Sequence, residues 1–290
     1  MSTLSGSAAL RDIPIGDFEI SLIRDSVYWW DGGVYFGVVP KTLWSQKIAP
    51  DELNRVPLAF NCYLIRTGRH TILIETGGGD KVDARFRQRA KMPPEPEPLP
   101  SAIARHGFDP ESIDIVVNSH LHWDHCSGNT ILAGGRATPS FPRARYFAPR
   151  AEWQHAHERH IRDSVSYIDA NYDPLVESGR MTLVESDFEV APGVWMRGAP
   201  GHTRGLMAIT ATSGGKTFCF FSDMIPSASH VQPTWVPAFD LFPLESIDTK
   251  IRWLSEAANG QWICGFAHDP DIGFTRIASD PKARFRAIPA

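Results

Sequence analysis

The chain has 290 residues, of which 42% are hydrophobic, 21% charged and 11% aromatic, a balance that excludes disordered and fibrous proteins and suffices for a large buried core. Its 29 basic and 33 acidic residues give a net charge of −4, which is too balanced for a protein that binds the phosphate backbone of nucleic acids. We therefore expect no nucleic-acid partner. We treat residues 1–290 as a single domain, in which an aromatic and glycine-rich extension at 1–57 contributes pocket loops.

The sequence gives no indication of a membrane span, a secretory signal or a disulfide framework. No segment reaches the roughly 20 apolar residues that span a bilayer. Residues 1–7 lack the positive charge and the apolar run of a secretory signal, so we expect a cytoplasmic protein that has no membrane partner. The cysteines form no CxxC pair, which predicts buried free thiols rather than disulfides or a cysteine zinc site. They are Cys62, Cys126, Cys219 and Cys264.

The first third of the chain is predicted to form strands. Apolar or alternating runs indicate a three-stranded meander at 18–23, 58–65 and 70–75. Between the first two runs, the glycine-broken aromatic segment 31–44 is more typical of a structured loop. The proline-dense stretch 92–100 predicts an extended connector, and a short helix at 101–106 should follow it.

The remaining two thirds of the chain alternate between strands and helices. Strands are predicted at 113–118, 143–148, 181–185, 194–197, 206–212, 216–221 and 261–266. Polar residues 150–164 and the apolar stripe of 247–258 predict helices. Strand-rich halves that each end in helices indicate an α/β fold with two sheets packed together and helices outside.

The densest chemical signal directly follows the strand predicted at 113–118. Three histidines and one aspartate lie within six residues, namely His120, His122, Asp124 and His125. In an extended segment, His120, His122 and Asp124 would share one side and His125 would point elsewhere, so one loop could serve two metal ions. Imidazole nitrogens and carboxylate oxygens are ordinary metal ligands, and we therefore predict a metal site.

Three further ligand candidates occupy similar positions later in the chain. His202, Asp223 and His268 each follow the end of a predicted apolar strand. Strand ends hold side chains rigidly while one face stays open to ligands. We therefore expect these side chains to complete the site.

The motifs HLHWDH, PGH, SD and AHD, in this order, resemble the metallo-β-lactamase superfamily of metal-dependent hydrolases. The segment 61–77 is similar to the opening hairpin of that family, and the resemblance covers about residues 58–268. It implies a four-layer αββα sandwich of two mixed β-sheets flanked by helices, with two metal ions in the cleft between the sheets. By position it implies His120, His122 and His202 on the first metal, Asp124, His125 and His268 on the second, and Asp223 bridging both.

The implied ligand set also indicates the metal and the mechanism. Seven nitrogen and oxygen ligands without cysteine favour two Zn²⁺ ions, although iron or manganese would accept the same donors. Two such ions lower the pKa of a shared water from about 15.7 toward about 7, which implies a metal-bridging hydroxide as the nucleophile. Asp124 and Asp223 are the implied catalytic carboxylates, and Asp124 is the candidate that carries a proton to the leaving group.

Two positions depart from the commoner family pattern. Glu75 stands where an aspartate is usual, and we expect it to orient a ligand histidine through its longer arm. Pro226 stands three residues after Asp223, where the acyl-homoserine lactonases of this family usually place a tyrosine near the leaving group. The second departure weakens that particular assignment.

Aromatic residues in three segments, 28–30, 35–36 and 235–242, are predicted to wall a substrate pocket. The candidate substrate contacts are Phe36, His230 and Trp235. Such walls favour a substrate with a sizeable apolar portion. A separate histidine cluster lacks the HExxH spacing and predicts a solvated helix face, formed by His155, His157 and His160.

We therefore predict a dinuclear hydrolase that cleaves an ester bond in a small molecule, in particular a lactone with an apolar portion. A phosphotriesterase or aryl esterase is the closest alternative. A glyoxalase II-like thioesterase would need a basic cluster for its anionic carrier, and a β-lactamase would need an export signal. A di-iron oxidoreductase would need a flavin domain, and a non-catalytic binding module would not need a complete ligand set. Homo-oligomer formation stays open.

Overall fold

The structure, a computed structural model, describes residues 12–290. The sequence interpretations of residues 1–7, and the first residues of the extension at 1–57, lie outside the described range. The following paragraphs concern residues 12–290 alone.

The described chain forms two seven-stranded sheets and one separate hairpin. Its first nine strands are β1 (Ile13–Ile15), β2 (Phe18–Asp31), β3 (Arg55–Arg66), β4 (Thr71–Ile74), β5 (Ile115–Val117), β6 (Thr130–Ala133), β7 (Arg136–Pro139), β8 (Arg145–Pro149) and β9 (Met181–Val184). The others are β10 (Phe188–Ala191), β11 (Val194–Gly198), β12 (Met207–Ser213), β13 (Lys216–Phe220), β14 (Ile263–Gly265), β15 (Thr275–Asp280) and β16 (Arg284–Pro289).

Eight α-helices connect or cover these strands in the described range. They are α1 (Gly32–Phe36), α2 (Lys41–Trp44), α3 (Ala84–Arg89), α4 (Leu99–Arg105), α5 (Trp123–Cys126), α6 (Arg150–Glu158), α7 (Asp173–Glu177) and α8 (Pro243–Asn259). None of the helices between residues 12 and 290 has the length and apolar character to cross a bilayer.

Both sheets are mixed. The first has the order β1-β2-β3-β4-β5-β8-β9, in which an antiparallel meander continues into parallel pairs from β4 onward. The second sheet runs from β10 to β16 in sequence order, and its parallel pair is β13 with β14. Parallel neighbours end at the same sheet edge, so residues that follow them are brought together.

Three buried clusters define the layers of the fold. Apolar side chains of both sheets meet between them, as Tyr63 of β3 does with Phe220 of β13. Helices α4, α6 and α7 cover the outer face of the first sheet, where Ile103 and Leu175 are buried. Helix α8 covers the second sheet through Trp253. The predicted α/β fold, a four-layer αββα sandwich, is thereby confirmed.

The meander is confirmed, but the loop predicted at 31–44 is wrong. The Asp31 carboxylate accepts a hydrogen bond from the Val34 backbone N–H and caps α1, and α2 follows in the same segment. Burial of Phe36 and Trp44, whose rings stack 5.0 Å apart, stabilises both short helices. Tertiary packing, rather than helical periodicity, therefore decides the local structure here.

Several predicted boundaries also shift. The helix predicted at 150–164 ends at Glu158, because Arg159 adopts a left-handed conformation with φ of 52°. The helix predicted at 101–106 begins earlier, at Leu99, with Pro100 in its first turn, where proline needs no hydrogen-bond partner. The carboxyl-terminal hairpin of β15 and β16 was absent from the sequence prediction and completes the second sheet.

Candidate metal centre

The seven predicted ligands converge at the edge where β5, β13 and β14 end. Parallel pairing sets Phe220 opposite Gly265, and Asp223 and His268 each follow three residues later. The HLHWDH motif leaves β5 at Val117 in the neighbouring sheet. The distances between these side chains show two groups of ligand atoms with one carboxylate between them.

The first group contains His120, His122 and His202. Their ligand atoms all lie within 4.8 Å of one another, and His202 Nε2 is 3.1 Å from His122 Nδ1. All three side chains are buried. Three converging nitrogens from two loops are a donor set that could hold one metal ion.

The second group contains Asp124, His125 and His268, again with all ligand atoms within 4.8 Å. His268 Nε2 lies 3.2 Å from His125 Nε2 and 3.6 Å from Asp124 Oδ2. The backbone turns into α5 directly after His122, so the motif is not extended throughout. Asp124 therefore lies with His125 in the second group. The extended geometry, which would place Asp124 on the same side as His120 and His122, applies only to those two histidines.

Asp223 lies between the two groups. Its Oδ2 is 3.4 Å from His202 Nε2 in the first group. Its Oδ1 is 3.0 Å from His268 Nε2 and 3.3 Å from His125 Nε2 in the second. One carboxylate thus offers an oxygen to each group, which is the geometry that a bridging ligand needs.

Backbone and side-chain acceptors orient the histidine rings. His268 Nδ1 donates to the Ala59 carbonyl at 2.9 Å, and His202 Nδ1 donates to Asp240 Oδ1 at 3.0 Å. With the proton held on Nδ1, the lone pair of each Nε2 faces the cluster. His120 Nδ1 similarly contacts the Ser119 hydroxyl at 2.9 Å.

Glu75 lies where it can orient a ligand, as its sequence position suggested. Its Oε1 accepts a hydrogen bond from the Ser119 backbone N–H at 3.1 Å and lies 3.5 Å from His125 Nδ1. Glu75 has φ of 60°, and Ser222, next to Asp223, has φ of 51°. Left-handed backbone at two non-glycine residues stores conformational strain, which proteins concentrate at functional sites.

Within the cluster, His120 and His122 provide neutral nitrogens, and Asp223 provides ionised oxygens. Burial holds the pKa of His120 and of His122 well below the ordinary imidazole value, which leaves both lone pairs available. Burial alone would raise the pKa of Asp223, but the rings of His125 and His268 hold it well below its ordinary value. Asp223 is therefore an ionised carboxylate in a buried site, which favours a cation.

Unpaired atoms provide a test of whether divalent cations fit these residues. Among the described residues, His120 Nε2 and His122 Nε2 are buried without a hydrogen-bond partner. Such atoms cost about 1–3 kcal/mol each unless another partner is present. Two nitrogens 3.1 Å apart also repel each other when both carry lone pairs. A divalent cation in each group removes both penalties, so the donor set fits a pair of such ions.

A cavity of about 360 Å³ opens onto the cluster. Tyr28, Trp30, Trp123 and Phe239 form much of its wall, and Arg162 lies among its lining residues. A second cavity of about 370 Å³ is lined by Trp29, Leu53 and Phe86 and shares Trp30 and Val34 with the first. The predicted aromatic walls therefore include Tyr28, Trp30 and Phe239.

The three predicted substrate contacts do not line the cavity at the cluster, which corrects the expectation for Phe36, His230 and Trp235. Phe36 and His230 are fully buried and stack on each other with ring centroids 4.9 Å apart. His230 Nε2 donates to the Tyr35 carbonyl at 2.9 Å, and Trp235 packs edge-on against Phe36. These side chains hold the loops behind the pocket wall together instead of facing the substrate space.

The other residues that the sequence analysis singled out contact neighbouring loops or are buried. The Pro226 carbonyl accepts the His268 backbone N–H at 2.9 Å and so supports that loop. His155 and His157 contact carboxylates of neighbouring loops, Asp163 at 2.8 Å and Asp173 at 3.1 Å. The four cysteines are buried free thiols, as predicted.

Sequence reasoning missed three contacts to the predicted ligands or their loops, although it placed Tyr28 in the pocket wall. Asp240 binds His202, and the Tyr28 hydroxyl lies 3.3 Å from Asp124 Oδ2. Glu152, fully buried in α6, accepts hydrogen bonds from the backbone N–H groups of Gly205 at 3.2 Å and Leu121 at 3.5 Å. No short motif marks these residues, because each contact joins segments that are distant in the sequence.

Comparison with known proteins gives consistent matches. The family profile of the metallo-beta-lactamase superfamily matches residues 55–270. An N-acyl homoserine lactonase of a Bacillus species is 28% identical over 181 residues, which cover 58% of this chain and 64% of that protein. The Bacillus cereus N-acyl homoserine lactonase is 27% identical over the same length. The match thus spans less than two thirds of these relatives.

Solved structures match over nearly the whole chain. A probable metal-dependent hydrolase from Staphylococcus aureus is 30% identical with a TM-score of 0.86, covering 96% of this chain and 99% of that one. The dizinc quorum-quenching lactonase AidC, solved with a product, is 20% identical with a TM-score of 0.77 and 97% coverage of both chains. The second likeness concerns the fold alone.

Proposed function

The chain belongs to the metallo-beta-lactamase superfamily and is a metal-dependent hydrolase, and from that premise we propose that it opens lactones that carry an apolar chain. The observation that carries this proposal is the position of the ligand cluster at the base of a cavity with aromatic walls. The carbonyl group of the substrate would thus contact the ligand cluster, and its apolar chain would contact the aromatic walls of the same pocket.

We propose that His120, His122 and His202 hold one zinc ion. Asp124, His125 and His268 would hold the other, with Asp223 shared between them. When bound, two such cations lower the pKa of a shared water from about 15.7 toward about 7 and polarise the scissile carbonyl. Iron or manganese would fit the same donors.

Asp124 and Asp223 have different roles in this proposal. Asp124 is more accessible than Asp223, with 16% of its side chain exposed compared with 4%, and it lines the cavity. We assign to Asp124 the transfer of the proton from the attacking water to the leaving oxygen. Asp223, held on both sides by imidazoles, would keep the two ligand groups at a fixed separation.

Apolar walls support a lactone with an acyl chain. Trp30, Val34 and Phe239 line the cavity, and the adjoining cavity of about 370 Å³ extends the apolar surface beyond Trp30. Burial of each methylene of a chain contributes about 0.8 kcal/mol to binding. The curated relatives are N-acyl homoserine lactonases, whose substrate class combines a lactone ring with such a chain.

A substrate panel on zinc-loaded protein tests the proposal. We expect turnover of N-acyl homoserine lactones and two zinc ions per chain by elemental analysis. The variant His122→Ala should lose the turnover and the full zinc content. Asp114→Asn is the matched control, because this carboxylate lies at the opposite end of β5. Absence of lactone turnover at every chain length would refute the proposal. Turnover of paraoxon or phenyl acetate alone would favour the phosphotriesterase or aryl esterase alternative.

A further inference from the structure

Tyr28 reaches the ligand cluster because β2 is irregular. The pairing of β2 with β3 shifts register between Arg24 and Val27, and Tyr28 then pairs with Leu58. A bulge of this kind changes which side chains face inward and increases the local twist of the strand. The consequence is that a tyrosine of the edge region lines the cavity at the metal cluster.

Aromatic neighbours fix the direction of this side chain. The Tyr28 ring stacks on Phe60 with centroids 4.4 Å apart and planes 9° from parallel. Trp123 packs edge-on at 6.1 Å, and the His268 ring lies at 6.0 Å. Only 4% of Tyr28 is exposed, and its hydroxyl lies beside Asp124 at the cavity wall.

The Tyr28 hydroxyl makes one long hydrogen bond, in which it donates to Asp124 Oδ2. Its contact with Asp124 Oδ2 measures 3.3 Å, which is longer than the 2.5–3.0 Å of an ordinary O–H···O hydrogen bond. Among the described residues that line the cavity, two carry a hydroxyl group, Tyr28 and Ser166. Of these, Tyr28 contacts a predicted ligand. A substrate oxygen that enters beside Asp124 at a shorter distance would therefore compete with Asp124 for the single proton of this fixed donor.

We propose that Tyr28 is a catalytic residue whose hydroxyl donates a hydrogen bond to the leaving oxygen of the substrate, an inference that rests on the proposed ester hydrolysis. The water oxygen bonds to the carbonyl carbon, and the bond from that carbon to the leaving oxygen breaks. The electron pair passes to the leaving oxygen, which receives through Asp124 the proton that the water lost. Tyr28 keeps its own proton throughout.

The hydrogen bond would be stronger in the transition state than in the bound substrate. Negative charge develops on the leaving oxygen as its bond to carbon lengthens, and a fixed donor in a water-poor site favours that charge. An alkoxide leaving group, as in a lactone, gains more from this donor than 4-nitrophenolate, which already spreads its charge over the ring. The contribution of Tyr28 should therefore depend on the leaving group.

Tyr28→Phe tests the proposal, because it keeps the ring that stacks on Phe60. We expect kcat for lactones and alkyl esters to fall by about 10-fold to 100-fold, as for the loss of a single donor to a developing charge, with KM nearly unchanged. For 4-nitrophenyl esters of the same acid we expect a loss of less than about 3-fold. Zinc content and Tm, measured independently of activity, should match those of the wild type.

Tyr146→Phe is the matched control, since its buried hydroxyl accepts the Phe141 backbone N–H at 3.0 Å within the outer layer of the first sheet. It should lower Tm without changing the ratio of lactone to nitrophenyl ester rates. An equal loss on both substrate classes in Tyr28→Phe, or loss of zinc, would overturn the catalytic assignment. Inactivity of the wild type toward every ester would instead refute the proposed function, on which the assignment rests.

Discussion

Asp240 Oδ1 accepts a hydrogen bond from His202 Nδ1 at 3.0 Å, and the two residues are 38 positions apart. The other oxygen of Asp240 accepts the Ser246 hydroxyl at 2.6 Å, in the first turns of α8. Helix α8, which packs on the outer face of the second sheet, is thus connected through one carboxylate to a predicted metal ligand. The packing of that helix therefore contributes to the orientation of the His202 ring.

Asp240→Ala should weaken zinc binding by about 10-fold to 100-fold, because the His202 ring loses the acceptor that fixes its tautomer and orientation. Competition with a chromogenic chelator measures this affinity. Asp114→Asn, remote from the cluster, should leave it unchanged. Identical zinc affinity in Asp240→Ala and the wild type would show that packing alone orients His202.

Glu152→Ala should lower the free energy of unfolding by about 2–4 kcal/mol. The substitution leaves the buried backbone N–H groups of Leu121 and Gly205 without their acceptor, each at a cost of about 1–3 kcal/mol. Urea unfolding provides the measurement. Glu158→Ala, an exposed position on the same helix, is the control and should change stability by less than about 0.5 kcal/mol. Equal effects of the two variants would contradict the assigned role.

Asp25→Asn should flatten the pH dependence of stability between about pH 4 and pH 7. Burial raises the pKa of Asp25 from 3.8 to about 7, although the Gly78 backbone N–H donates to its carboxylate. In this window the folded protein keeps a proton that the unfolded chain has lost, so the wild type loses stability as pH rises to about 7.

The asparagine has no such proton to lose, and it can still accept the Gly78 N–H. The Asp25 side chain is half-buried, and solvent screening reduces the effect of its pKa shift on stability. The free energy of unfolding of the variant minus that of the wild type should therefore be about 1–2 kcal/mol larger at pH 8 than at pH 4.5. Denaturant unfolding of both proteins at the two pH values measures the difference. A difference between the proteins that is the same at both pH values would rule out titration of Asp25.

Trp30→Ala should reduce kcat/KM for long-chain lactones by about 10-fold and for short-chain lactones by less than about 3-fold, because Trp30 lines both apolar cavities. Initial rates over a series of acyl-chain lengths test this expectation. Trp195→Ala, a partly exposed tryptophan of β11, is the matched control. A loss that is independent of chain length would place the acyl chain elsewhere.

Much of the fold and the predicted ligand set could be deduced from sequence because both depend on local patterns. Alternating and continuous apolar runs predicted the meander and the parallel strands, since side-chain direction repeats with a period of two residues. The HLHWDH motif, and His202, Asp223 and His268 after later strands, indicated one site because strand ends meet at a sheet edge. Local spacing therefore determined which residues could bind a metal.

Tertiary structure decided what surrounds that cluster. Tyr28 meets Asp124 across 96 positions only through the bulge in β2, and Asp240 meets His202 only once α8 has docked. The aromatic segments gave no indication that His230 would be buried against Phe36 while Trp30 faces the cavity. The direction of a loop side chain depends on which distant surface excludes water from it, and no local periodicity encodes that surface.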